Sequence, residues 1–403
     1  MRKWLLVLLV AGLTIAAVAE NAVLPAKVTV EQLENALAAS HGKPDADLAQ
    51  QLLNMELTER LSTAKLAHLK ADLPGTKSQE ALVALADSSA FLDPPNAETP
   101  AMPMPDPAAL RKMITLIVNY VNSTVRQLPN LIATRSTTGF EDRPQEDVLG
   151  GTGVTTLIYL PLHVVGRSSF DVTYRDRQEV VDEKAAKAKK HGPQIGGLVT
   201  SGEFGPLLSR VVGDALQGKI TWGRWEAGPG GTETVFHYAV PHEKSHYNVQ
   251  FCCVANGFNS DGSASLEVFN ELSSYHGDIA FDPATGTIFR ITMEAEMPAG
   301  GLVSKAAMMV EYGAVEIGGK TYTCPVKSVS ILSAHTGQQT GMTSRSNYRG
   351  SPKTFLNDVE FGQYRRFGSE TRILTGDSLA PNQPSGPASA DVPGGPPSRT
   401  PTH

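Results

Sequence analysis

The chain has 403 residues, of which 41% are hydrophobic and 19% are charged. This is the balance of an ordinary globular protein of about two to three average domains, not of a disordered or membrane-embedded chain. The net charge of −6 offers no basic surface to phosphates, and 6% aromatic residues provide few platforms for stacking bases. Nucleic acid is therefore excluded as an expected partner.

Residues 1–19 have the pattern of a cleavable signal peptide. The basic pair Arg2-Lys3 precedes an apolar run, Trp4–Val18, and small residues lead up to Ala19 and the following Glu20. The run is shorter than the roughly 20 residues that a membrane-spanning helix needs. We expect cleavage between Ala19 and Glu20, a secreted or periplasmic location, and a mature chain that does not span the membrane.

The three cysteines, Cys252, Cys253 and Cys324, are too few and wrongly spaced for a disulfide scaffold or a cysteine zinc site. One bridge from Cys324 to either of the adjacent pair is compatible with an oxidising compartment. Neighbouring residues of a strand face opposite ways, so only one of the pair could reach it. Three buried thiols on strands are the favoured interpretation.

The mature chain is predicted to begin with a helical region over residues 20–92. Apolar spacing and capping residues indicate helices at Val30–Ala39, Asp45–Leu73 with a break near its middle, and Ala81–Phe91. A proline-rich stretch at residues 93–107 is typical of a linker.

An amphipathic helix over residues 108–128 follows the linker. Pro107 suits a first helical turn, and Pro129 ends the helix. Ile117 and Val121 belong to an apolar stripe at i, i+3 and i+4 spacing, which predicts that this helix docks on a sheet.

Beyond residue 129 the apolar period changes from helical to two, which indicates strands. The predicted strands are 131–141, 154–165, 168–181, 219–226, 233–240, 245–255, 275–282, 286–297, 304–316, 320–333 and 356–373. A helix is inserted at residues 203–216, with Thr200 and Glu203 as its expected caps. Residues 376–403 are rich in Pro, Ser and Gly and are expected to be disordered.

These elements predict an α+β fold. A helical region precedes a large curved, half-barrel-like antiparallel sheet domain over residues 108–375, which includes the docking helix and the inserted helix. A β-sandwich is the alternative.

Several stretches between residues 28 and 375 resemble a family of exported proteins of soil bacteria to which no activity is assigned. They are Leu128-Pro129-Asn130 with Ala133-Thr134-Arg135, Ser201-Gly202-Glu203-Phe204-Gly205, Ile279-Ala280-Phe281-Asp282 with Gly286-Thr287-Ile288, Glu316-Ile317-Gly318-Gly319-Lys320, and Glu360-Phe361 with Tyr364-Arg365-Arg366-Phe367. The resemblance implies export and a shared fold. The curved sheet with an inserted helix also resembles the periplasmic lipoprotein-carrier fold and its stress-sensor relatives, which implies an apolar concavity for acyl chains.

One spacing is typical of serine hydrolases. Ser62 and Lys65 have the S-x-x-K spacing, and Tyr120 and His335 follow in the chain order used by penicillin-recognising enzymes. A lysine acts as a base only when it is desolvated, and this one lies in a charged helix. A secreted serine-type hydrolase using Ser62 and Lys65 is therefore the alternative function.

Other polar groupings are weaker. His237, His242 and His246 surround one turn, where surface residues are a simpler interpretation than a metal site. Glu294 and Glu296 share one strand face and are interpreted as its solvated side. We therefore expect no catalytic residue, metal or cofactor.

The leading expectation is an exported, non-enzymatic envelope protein that carries an apolar ligand, a lipid or acyl chain, or binds another envelope protein. Leu207, Leu208 and Val211 of the inserted helix are the expected ligand-binding residues. No sequence feature defines the oligomeric state.

Processing is directly testable. The intact mass of the exported protein should correspond to a chain that begins at Glu20, because a small residue at Ala19 suits the cleavage geometry. Mass spectrometry that finds Trp4–Val18 retained in the mature protein would contradict this.

Overall fold

A computed structural model describes residues 25–149, 155–181, 195–228, 230–258, 264–335 and 352–367. The expected signal peptide and the expected disordered tail lie outside these residues. Among them, no helix combines the length and apolar character that crossing a bilayer requires.

The N-terminal part of the described chain is mainly helical. It comprises β1 (Ala26–Val28), α1 (Val30–Ala38), α2 (Asp45–Leu53), β2 (Met55–Leu57), α3 (Thr63–Ala71) and α4 (Thr76–Ser88). Thr29 and Gln32 form the expected capping box of α1. A short 3₁₀ turn at Asn96–Glu98 follows α4.

The break that the sequence predicts within Asp45–Leu73 is present, and it separates α2 from α3. The chain leaves the helix after Leu53 because Met55–Leu57 pairs as a parallel strand with Ala26–Val28. Asp45, the first residue of α2, also contacts α4. Its carboxylate accepts hydrogen bonds from the backbone N–H groups of Lys77 and Ser78 at 3.1 and 2.9 Å. A side chain from α2 thus caps α4.

Two longer helices follow. The docking helix α5 (Pro107–Gln127) begins as predicted, with the Asp106 carboxylate accepting from the N–H groups of Ala108 and Ala109. The inserted helix α6 (Pro206–Gln217) begins three residues later than predicted, at a proline in its first turn. Its N-cap is Gly205, without a side-chain hydrogen bond, so capping by Thr200 and Glu203 is wrong.

Ten strands form one large antiparallel sheet in the order β5-β4-β3-β15-β14-β13-β12-β11-β8-β7, and β10-β9-β6 form a small antiparallel sheet. The strands are β3 (Leu131–Leu149), β4 (Thr155–Arg175), β5 (Gln178–Val181), β6 (Gly197–Leu198), β7 (Lys219–Gly228), β8 (Gly231–Val240), β9 (Asn248–Phe258), β10 (Ala264–Leu272), β11 (Tyr275–Phe281), β12 (Ile288–Ala295), β13 (Val303–Ile317), β14 (Lys320–Ala334) and β15 (Lys353–Arg366). The large sheet is not a closed barrel, and the fold is α+β as expected.

The strand pattern differs from the prediction in two places. Residues 154–165 and 168–181 were expected to be two strands, but most of both lies in the single strand β4, and the turn comes at Asp176 and Arg177, which have positive φ. β10 was not predicted, and it pairs with β9.

Both faces of the large sheet are partly covered. We call apolar face the side that carries Phe236, Ile279 and Met308, which pack in one core cluster with α5, α6 and the small sheet. The opposite side, the polar face, packs Ala307 and Ile331 against the N-terminal helices. This explains why consecutive residues of β13 are buried.

The docking of α5 depends on a close approach of backbone to backbone. Gly286, in the turn between β11 and β12, has φ +77°, and a Cβ there would collide with the backbone of Leu116 and Ile117. A glycine is therefore required for this turn to lie against the helix.

Truncation of α5 tests this packing. Ile117 is 4% exposed in the core of the apolar face, so Ile117→Ala should lower the free energy of unfolding by about 2–5 kcal/mol, as buried truncations do. Asn119→Ala, on the exposed side of the same helix, is the matched control and should change it by less than about 0.5 kcal/mol. Equal denaturation midpoints for both variants would show that α5 is not docked.

Candidate functional site

The inserted helix α6 lies with its apolar side on the apolar face. Leu207, Leu208 and Val211 are 4%, 1% and 0% exposed and pack in the same cluster as Ile117 of α5. The opposite side is polar and exposed, whereas Leu216 near the C-terminal end is apolar and 48% exposed. The three expected ligand-binding residues therefore share one buried surface.

An open depression of about 400 Å³ lies at the C-terminal end of α6. Its walls come from that helix end and from strands β7, β8 and β11, and they include Gln217, Val240, Pro241 and Tyr275. A space of this size is at the small end of the range for ligand sites. Of α6 itself, only the last residue, Gln217, lines this depression.

A buried carboxylate ties α6 to the strands around the depression. Asp214 accepts hydrogen bonds from the Tyr275 hydroxyl at 2.9 Å and from the His246 backbone N–H at 3.0 Å. The His246 Nδ1 lies 2.7 Å from its other oxygen. Burial, and then the hydrogen bond to Asp214, raise the pKa of Tyr275, so its hydroxyl remains a donor. Asp214 therefore fixes the C-terminal half of the helix.

A second group of contacts holds the segment before α6. Glu179 on β5 accepts hydrogen bonds from the N–H groups of Gly202 and Phe204 at 2.9 and 3.1 Å. Arg135 on β3 donates to the Thr200 hydroxyl at 2.7 Å, and its guanidinium lies 3.3 Å from Glu203. Glu203 is fully buried, because it turns toward Arg135 and away from the helix end that it was expected to cap.

The polar face carries charged groups between the strands and the N-terminal helices. Glu226 forms ion pairs with Arg60 of the N-terminal region, with Arg224 of its own strand and with Arg290 of β12. Burial alone would raise the pKa of Glu226, but the neighbouring guanidinium groups hold it below the ordinary value. Because each arginine lies within reach of one buried carboxylate, the layers are joined by charge as well as by apolar packing.

Lys327 of β14 forms a second junction between these layers. Its ammonium lies 3.0 Å from Asp87 of α4 and 2.7 Å from Asp358 of β15, and all three side chains are at least nine-tenths buried. Burial raises the pKa of Asp87 to about 7, although Lys327 opposes the shift. Two carboxylates thus share one cation.

The hydrolase residues do not come together in the described contacts. Ser62 is the N-cap of α3 without a side-chain capping bond, and Lys65 forms ion pairs with Glu34 at 3.3 Å and Glu98 at 3.6 Å. Tyr120 packs on the apolar-face cluster, and the His335 backbone donates to Leu302. The amine that such a mechanism needs is engaged by carboxylates.

The histidines considered for a metal site have separate partners. His237 Nδ1 lies 2.5 Å from Asp278, His246 contacts Asp214, and His242 is in a 3₁₀ turn. The hydrogen bond with Asp278 raises the pKa of His237. Among the described residues, no group of three or more His, Cys, Asp or Glu side chains could hold a metal ion.

The two glutamates of β12 meet a histidine that sequence analysis did not single out. His276 lies 4.0 Å from Glu294 and 2.6 Å from Glu296. The face of β12 that carries Glu294 is not simply solvated, because Arg290 and Thr292 on the same face are each 7% exposed. Ile291 and Met293, on the opposite face of β12, are each 1% exposed and belong to the core of the apolar face.

The cysteines pair differently from either expectation. Cys252 and Cys253 form a disulfide between adjacent residues of β9, and Cys252 is exposed. Cys324 is a free, buried thiol in a cluster with Phe204, Tyr174 and Phe361. The bridge to Cys324 is therefore not formed. The expectation of three buried thiols is also wrong, because two of the cysteines are joined to each other.

Glu179 and Arg135 were missed as functional candidates. Both lie on predicted strands, but a strand pattern does not reveal which distant segment a charged side chain contacts. No protein-family model, curated protein or solved structure matches the chain.

The cation between Asp87 and Asp358 provides a test with a pH dependence. The pKa of Asp87 is raised in the folded protein, so its contribution to stability is full below pH about 4 and is lost as pH rises through 7. Lys327→Met leaves both carboxylates unpaired. It should lower the free energy of unfolding by about 3–5 kcal/mol at pH 8, and by clearly less at pH 5.5, where Asp87 takes up a proton.

Lys305→Met is the control for this substitution, because Lys305 lies over the Phe91 ring on a half-buried part of β13. It should have a small effect that is similar at both pH values, measured by denaturant unfolding. An equal loss at pH 5.5 and pH 8 for Lys327→Met would refute the shared-cation interpretation.

Proposed function

We propose that the protein is an exported, non-enzymatic binding protein that takes up an apolar ligand, a lipid or other acyl chain, in the space that α6 fills. The observation that carries this proposal is the position of α6. An amphipathic helix inserted between two strands lies on the apolar face of an open sheet, and a depression opens at its end. A ligand that enters there meets the C-terminal end of α6, and its proposed path continues along the helix to Leu207, Leu208 and Val211.

The exchange of helix for ligand is energetically balanced. Each buried methylene contributes about 0.8 kcal/mol, and each buried Leu or Val side chain about 1.5–3 kcal/mol. An acyl chain with about ten methylenes therefore offsets the exposure of three to five aliphatic side chains. This favours an acyl chain over a small polar ligand, which could not replace the apolar contacts of α6.

The ends of α6 are suited to movement as a unit. Gly202, with φ +88°, and Gly205 precede the helix, and Gly218 follows it. Glycines absorb backbone changes at hinges at little steric cost. Movement of the helix would require the release of two sets of contacts, those of Glu179 with the segment before α6 and those of Asp214 within α6.

Export is supported by two features. The basic, apolar and small-residue pattern of residues 1–19 is that of a signal peptide. The disulfide between Cys252 and Cys253 is of a kind that persists in oxidising compartments outside the cytoplasm.

A second candidate function is binding of another envelope protein. Val268 and Leu272 of β10 are 51% and 41% exposed, and Val199 beside β9 is 54% exposed. Within the described residues, β10 pairs with β9 alone. An edge strand with exposed apolar side chains can accept a strand from a partner.

Ligand binding is tested with a fluorescent fatty acid. The folded mature protein should take up the probe, and Leu207→Asp should abolish uptake because it places a charge on the buried side of α6. Ser209→Asp, on the exposed side of the same helix, should leave uptake unchanged. Circular dichroism should show the same strand content in all three proteins.

Absence of uptake by the folded wild-type protein would refute the carrier proposal and leave the partner-binding function. Equal loss of uptake in Leu207→Asp and Ser209→Asp would show that the probe does not bind at the buried side of α6.

A further inference from the structure

The segment from Thr200 to Gly205, which leads into α6, is held by charged groups. Glu179 accepts two of its backbone N–H groups, and Arg135 contacts both Thr200 and Glu203. Both oxygens of the fully buried Glu203 lack a hydrogen-bond donor among the described residues. Two carboxylates on this segment and on β5 therefore depend on one guanidinium.

The other titratable groups around the segment are neutral near pH 7. They come from every element packed there: Tyr120 of α5, Tyr174 of β4, Tyr312 of β13, Cys324 of β14 and Tyr364 of β15. Burial is the largest cause that raises the pKa of each of them. Arg177, in the turn between β4 and β5, is exposed. The buried charges are thus those of Arg135, Glu179 and Glu203.

Burial, and then the charge of Glu203, raise the pKa of Glu179 to about 7. The ordinary value is 4.5, so the folded state binds this proton more tightly than an opened state in which Glu179 reaches water. The stability that Glu179 contributes is full below pH about 4.5 and is lost as pH rises through 7. Above that pH, the buried site holds an ionised Glu179 beside Glu203, with Arg135 facing them.

We propose that Glu179, Glu203 and Arg135 form a pH-sensitive latch on α6, which holds the helix at mildly acidic pH and loosens it at mildly alkaline pH. This regulation rests on the proposed function, because α6 is the element that a ligand displaces. Release of the latch frees Phe204, whose ring packs against Phe361 and Tyr364 at centroid distances of 5.4 and 6.0 Å.

Cys324 is a natural reporter of the latch. It is 0% exposed and lies in the cluster that Phe204 completes. The other two cysteines are joined to each other, so a thiol reagent reacts with Cys324 when the cluster opens.

The experiment measures the rate at which a maleimide labels Cys324 in the full chain between pH 6 and 8. Each rate is divided by the rate for a small free thiol at the same pH, which corrects for the ionisation of thiols in general. The normalised rate should rise about tenfold over this range, which is the population shift expected when a carboxyl with pKa about 7 in the closed state and 4.5 in the open state ionises. Glu179→Gln, which retains an acceptor oxygen but not the charge, should remove the rise.

Two further variants complete the test. Glu203→Gln removes the charge that helps to raise the pKa of Glu179, so the rise should move to lower pH. Glu316→Gln, an exposed carboxylate on β13, should behave as the wild type. A normalised rate that is flat in the wild type, or a rise that survives Glu179→Gln unchanged, overturns the latch.

Uptake of the fluorescent fatty acid separates the latch from the function. Labelling that rises with pH in a protein that takes up no probe at pH 6 or 8 supports the latch and refutes the carrier function. Uptake of the probe together with a labelling rate that does not change with pH supports the carrier function and refutes the latch.

Discussion

An open antiparallel sheet of ten strands has two broad faces that must be covered, and the other elements of this protein follow from that constraint. A closed barrel would hide one face within itself, but here β5 and β7 are separate edges. The helices α5 and α6 and the small sheet cover the apolar face, and the N-terminal helices cover much of the other. Each covering layer is attached by contacts from residues that are far apart in the chain.

The two faces are joined to their layers by different physical means. On the apolar face the contacts are aliphatic and aromatic, and apolar burial has no preferred direction. On the polar face a row of alternating charge crosses four adjacent strands through Arg290, Glu311, Lys327 and Glu360, which are successive cross-strand partners. Lys327 of this row pairs with Asp87 of α4, which specifies one position of that helix on the sheet. The charged junctions and the apolar contacts with α5 and α6 therefore lie on opposite faces of the same sheet.

Local residue spacing was sufficient to find the helices that bury one apolar stripe against the sheet. The i, i+3, i+4 pattern of α5 placed Ile117 and Val121 correctly, and α6 was found for the same reason. Local spacing does not predict contacts between residues far apart in the chain, such as the Arg60–Glu226 pair, which spans 166 positions. Glu203 shows the limit: its spacing from the apolar run fits a helix cap, but its carboxylate turns to Arg135. The disulfide of Cys252 and Cys253 joins neighbours that ideal strand geometry directs to opposite faces.

The position of β15 has a consequence for how the chain is assembled. This strand, Lys353–Arg366, lies between β3 and β14. It therefore joins two blocks of the large sheet: β3, β4 and β5 on one side, and β14, β13, β12, β11, β8 and β7 on the other. During synthesis from the N-terminus, β3 emerges about two hundred residues before β15, the strand that pairs with its open edge. Such non-local pairing is slow and leaves edges exposed to other chains.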